Sequence, residues 1–105
     1  MSIFQRMPAM TAAEEAHVKK VGRKRFDRAF DYAEFETRRD SHFVGLDKLR
    51  RAIAYEAALR ATGFADRPLK LPRAAGPGEV ETQQIAESIL ERATTLACRA
   101  LEVLP

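Results

Sequence analysis

The segment from Glu79 to Leu104 reads as one unbroken helix with a seam of alanines along its apolar face, and that seam restricts the possible folds more than any other feature. At about 100° per residue, Ala86, Ala93, Ala97, Ala100 and Leu104 fall along the centre of one face. Ile85, Ile89, Leu96 and Val103 form one rim of it, and Leu90 and Leu101 form the other. Glu87, Glu91, Arg92, Arg99 and Glu102 lie opposite. Small residues between large rims let a second helix approach closely. The segment is therefore built for helix packing, and the fold it implies is all-α.

Composition agrees. Ala, Leu, Arg and Glu are abundant, which favours helix over sheet. At 105 residues, 46% hydrophobic and 31% charged, the chain suits one globular domain spanning 1–105 with a modest core. No apolar run approaches the roughly 18 residues of a membrane span, and the first ten residues do not read as a secretory signal. Cys98 is the single cysteine, so no internal disulfide or cysteine metal cluster is expected and a cytoplasmic setting is the default.

Two further helices complete the reading. Thr11 and Glu14 stand in capping-box relation and start a helix expected to run over 12–39. Gly22 weakens such a helix by about 1 kcal/mol relative to alanine, which its length tolerates. Asp40, Ser41 and Gly45 mark a break. The second helix, over 46–62, places Leu46, Leu49, Ile53, Ala57 and Ala61 on one face. Gly63 ends it as a C′ glycine, with Phe64 turned back onto Leu59 in a Schellman motif. Residues 63–78 carry Pro68, Pro72, Gly76, Pro77 and Gly78 and read as an extended connection before the helix over 79–104. At the other end Ile3, Phe4, Met7 and Met10 make residues 1–10 an apolar arm, expected to dock.

Three helices leave apolar surface over. Val18, Phe26, Ala29, Phe30 and Ala33 make one stripe of the first helix, and Val21, Tyr32 and Phe35 widen it well beyond the roughly 100° a surface helix buries. The first and last helices also outreach the middle one, at about 40 Å against about 25 Å. A homodimer packing long helices across a two-fold axis resolves both mismatches. Its expected interface is Tyr32, Phe35, Ala86, Leu90, Ala93, Ala97, Ala100 and Leu104. The function that follows is a non-enzymatic, homo-oligomeric interaction or assembly module, with a different protein as the other partner these surfaces would suit.

Charge supplies the alternative. The net charge is +3, and basic residues cluster near the N-terminus whereas glutamates dominate the last helix. A small nucleic-acid-binding regulator would use Lys19, Lys20, Arg23, Lys24, Lys48 and Arg51, the last two on the reading helix of a helix-turn-helix. Against it, the charges of 19–28 wrap around the helix, Asp27, Asp31 and Glu34 follow them, and the acidic last helix offers an internal partner. A metal-carboxylate bundle is a distant third. Glu14 and His17 have the Glu-x-x-His spacing of such sites, but only Asp31 and Glu34 add carboxylates on that helix. Asp40, Ser41 and His42 lack the strained turn and oxyanion hole of a catalytic triad. No catalytic residue, cofactor or metal is assigned.

Overall fold

Thr11 opens the first helix as its sequence predicts. Its backbone N–H donates to Glu14 Oε1 at 2.9 Å, and its hydroxyl accepts from the Glu14 N–H at 3.2 Å, closing a capping box that buries Glu14. The computed structural model describes residues 11–41, 45–64 and 79–103. The apolar arm 1–10, His42, most of the 63–78 connection and Leu104 lie outside the described residues. The described residues form four helices, α1 (Ala12–Val21), α2 (Arg23–Arg39), α3 (Asp47–Ala61) and α4 (Glu79–Val103). Among the described residues there is no strand, and no helix is long and apolar enough to cross a membrane.

The all-α class is as expected, but the first helix is not continuous over 12–39. Gly22 adopts φ +99° and ψ +135°, caps α1 through its N–H on the Val18 carbonyl at 2.9 Å, and passes the chain to α2. Lys19 and Lys20 close α1, where cations suit the macrodipole. Nothing comparable announces α2, whose first turn holds Arg23, Lys24 and Arg25 and no acid. The break also removes the mismatch between the first and middle helices: α2 and α3, with 17 and 15 residues, are each about 25 Å long, whereas α4, with 25 residues, still outreaches them at about 38 Å.

α2, α3 and α4 pack pairwise on one another, and α1 joins through α2. The core draws Phe26, Ala29, Phe30 and Ala33 from α2, Ile53, Ala57 and Leu59 from α3, and Ile89, Leu90 and Leu101 from α4, with Val18 from α1. Phe26 meets Tyr55 edge-to-face at 5.9 Å. Eight of the 18 clustered residues described are alanine, and small side chains at a helix contact permit close approach of the axes.

The middle helix differs from its reading as a one-faced amphipathic element. Residues 52–59 are buried without interruption, including Glu56, which pairs with Arg60 at 3.6 Å. Leu46, placed on the core face by its spacing, is instead the N-cap residue and is exposed. The end of α3 follows expectation. Phe64 N–H donates to Leu59 O at 2.8 Å, Gly63 N–H to Arg60 O at 3.1 Å, and Gly63 has φ +96°, which is the Schellman pattern.

Candidate functional site

A helix whose buried face is already satisfied has no internal use for large apolar groups on its outer face. The 3.6-residue period turns Phe26, Ala29, Phe30, Ala33 and Thr37 of α2 inward, and all are buried. The same period turns Asp31, Tyr32, Phe35 and Arg39 outward. Phe35 is 58% exposed and Tyr32 42%. With Leu96 of α4 these four residues line an open groove of about 360 Å³ between α2 and α4. The Arg39 guanidinium lies 6.0 Å from the Phe35 ring centroid, a cation–π distance.

The rim beside this groove is braced by charge. Arg92 of α4 holds Asp40 Oδ2 at 2.6 Å and Glu36 Oε1 at 3.8 Å. Arg39 Nη1 donates to Glu36 Oε2 at 3.2 Å, and Arg50 Nη2 donates to the Asp40 carbonyl at 2.9 Å. The end of α2 is thus tied to both α3 and α4. Asp31 is exposed, one turn from the half-buried Asp27. Burial, with repulsion from Asp31 added, raises the Asp27 pKa above its ordinary value despite the opposing pull of Arg23.

The interface residues expected from sequence divide into two groups. Tyr32 and Phe35 lie together in the open groove. Ala86, Leu90, Ala93, Ala97 and Ala100 are buried inside the single chain, where α4 packs on α2 and α3. The seam is therefore consumed by the monomer. Asp31 belongs to the acids that the sequence sets on the outer face, whereas Arg39 and Leu96 carry no surface role there, although the position of Arg39 four residues after Phe35 is a signal that could find it.

The basic residues of the nucleic-acid reading are divided by the Gly22 break. Lys19 and Lys20 are exposed on α1, Arg23 and Lys24 on α2, and Lys48 on α3, whereas Arg51 is half-buried. A reading helix needs a free face, and α3 has none over residues 52–59. In the metal reading, Glu14 is held by its capping box, Glu34 pairs with Arg38 at 3.1 Å, and His17 turns to the end of α3. Among the described residues no three His, Cys, Asp or Glu side chains come together to hold a metal ion. Of the Asp40–Ser41–His42 run, Asp40 is bound by Arg92 and Ser41 is exposed.

His17 instead forms a structural latch. Its Nε2 lies 2.8 Å from Thr62 Oγ1, and its ring meets Phe64 edge-on at 5.1 Å. The Thr62 hydroxyl directs its proton at the Ala58 and Leu59 carbonyls, at 2.8 and 3.1 Å, so the imidazole is the donor in this contact. Burial, and then the nearby Lys20, lower the His17 pKa below its ordinary value.

A second groove, of about 680 Å³, runs between Arg60, Phe64 and the Gln84–Thr95 side of α4. Its polar groups are largely engaged within their own helices: Thr94 donates to Leu90 O, Thr95 to Glu91 O, and Arg60 pairs with Glu56. No protein-family model matches the chain, and no curated protein or solved structure is detectably similar to it.

Proposed function

We propose that this chain is a non-enzymatic helical interaction module that self-associates through the outer face of α2. The observation that supports this reading is the pair Tyr32 and Phe35, exposed side by side on a helix whose inner face is fully packed. Contiguous exposed aromatics with a charged border are the usual composition of a protein contact surface. The alanine seam has a different task here: it closes the monomer, and association falls to the groove.

The test is light scattering coupled to size exclusion, from low to high micromolar concentration, on the wild-type chain and on Phe35→Asp. The wild type is expected to exceed its 11.8 kDa monomer mass in a concentration-dependent way, and Phe35→Asp to remain at that mass with unchanged helicity. A wild-type chain that stays monomeric throughout refutes the proposal.

A further inference from the structure

The outer face of α2 carries a charge pattern that is antisymmetric about Phe35. Asp31 stands four residues before it and Arg39 four residues after it, and all three line the same groove. Four residues rise about 6 Å and turn about 40° past one full revolution, so each charge sits about 6 Å along the axis from Phe35. Such a surface is complementary to itself under one operation, a two-fold rotation through Phe35 that lays a second α2 antiparallel on the first. In a two-fold contact, residue i meets j and j meets i, so Asp31 of each copy meets Arg39 of the other. Parallel alignment would set Asp31 against Asp31 and Arg39 against Arg39.

The side chains are free to make this exchange. The Arg39 side chain is 64% exposed, and its present partner Glu36 also has Arg92 at 3.8 Å. Arg39 can therefore move to a partner without leaving Glu36 unpaired. Asp31 is exposed and stands one turn after Asp27, a like charge, so an arriving cation meets a locally acidic stretch of α2. Leu96 gives the incoming ring an apolar seat.

We infer that a second copy of this chain occupies the α2–α4 groove through an antiparallel α2–α2 contact, with Phe35 at the two-fold axis and Asp31 of each copy paired with Arg39 of the other. This inference rests on the self-association proposed above and specifies its geometry. A contact centred on one short helix lies at the small end of specific interfaces, so the dimer is a weak, micromolar one.

Charge reversal and cross-linking test it together. By sedimentation equilibrium, Asp31→Arg and Arg39→Asp are each expected to weaken dimerisation at least about tenfold, because each turns two attractive pairs into two repulsive ones. The double variant Asp31→Arg/Arg39→Asp restores the pairs with signs exchanged, and its Kd is expected within about threefold of wild type by the same reasoning. In a Cys98→Ser background, Phe35→Cys is expected to give a disulfide-linked dimer on oxidation. Lys24→Cys is expected not to, since the antiparallel register separates the two copies of that position by about 33 Å along the axis. A wild type that never dimerises overturns both this inference and the reading it rests on. A wild type that dimerises, with a double variant as weak as the single ones or with Lys24→Cys cross-linking, leaves self-association standing and overturns this register. Circular dichroism of each variant identifies any that fails to fold, and the cysteine pair then decides alone.

Discussion

Replacing Gly22 with alanine distinguishes a continuous first helix from the broken one by the sign of its effect. In a continuous helix the change gains about 1 kcal/mol, since glycine is that much worse than alanine in a helix interior. In the observed structure Gly22 has φ +99° and ψ +135°, a region that side-chain-bearing residues rarely adopt. Holding alanine there costs about 1–3 kcal/mol, less the roughly 0.4–1 kcal/mol recovered by restricting the unfolded chain. A Cβ at this position meets nothing within 4 Å, so no clash adds to the cost and no cavity is filled. The expected balance is a loss of between about 0 and about 2.6 kcal/mol, centred on about 1.3 kcal/mol, which for a domain near this size lowers Tm by about 5–10 °C at that centre. Thermal unfolding followed by circular dichroism, at one fixed concentration so that any association cancels, reads this directly. Straightening the chain at residue 22 to escape the strain would carry His17 away from Thr62 and Phe64, so it offers no free relief. A Gly22→Ala variant with a Tm above wild type would refute the break.

Ala93→Leu is expected to destabilise folding of the single chain by at least about 1–3 kcal/mol, because Ala93 is fully buried and the added atoms have no space. Glu91→Ala, at an exposed neighbouring position, is expected to stay within about 0.5 kcal/mol of wild type, and urea denaturation compares the two. The His17 latch gives a pH dependence. Its pKa is lowered in the fold, so over the window between that value and the unfolded value of 6.5 the unfolded chain holds more protons. The stability linked to a neutral His17 is thus fully present above pH 6.5 and is lost as pH falls through the folded pKa, through burial of the charged ring near Lys20 and not through the Thr62 contact, which the protonated ring still donates. The stability difference between wild type and His17→Gln, measured by unfolding at a series of pH values, is expected to narrow on acidification; a difference that widens would contradict the sign.

Periodicity carried most of the fold because the helices obey it where they bury surface. Val18, Phe26, Ala29, Phe30 and Ala33 were placed on one stripe by spacing alone and all are buried. So are Ala86, Ala93 and Ala97. Thr11–Glu14 and Gly63–Phe64 were found because capping motifs are local, with donor and acceptor a few residues apart. The break at Gly22 is invisible in the sequence for a physical reason. A glycine inside a helical pattern costs little if the helix continues, and the basic first turn of α2 gives no sign of a helix start. Only the tertiary reward, Val18 in the core and His17 on Thr62, selects the break. The uninterrupted burial of residues 52–59 was equally hidden, since Tyr55, Glu56 and Arg60 on its polar side resemble a solvated face until their partners are known.

The candidate surface was half visible for a related reason. Sequence spacing identified too much apolar surface on the first helix, but not which part of it folding would use. The structure narrows the excess, because the break at Gly22 shortens the helix and α3 and α4 together cover the stripe through Ala33. What remains is Tyr32 and Phe35, with Asp31 and Arg39 as their border. Under the proposed self-association, folding and association draw on different residues. A substitution in the alanine seam acts on a site that is 0% exposed at Ala93 and Ala97 and changes the unfolding midpoint of a monomer. A substitution in the groove acts on exposed side chains and, under the proposed self-association, is expected to change the mass in solution rather than that midpoint. The two faces of α2 can for that reason be tuned independently. If seam variants changed the association constant at unaltered stability, or groove variants unfolded the monomer, the division of labour between these faces would have been drawn in the wrong place.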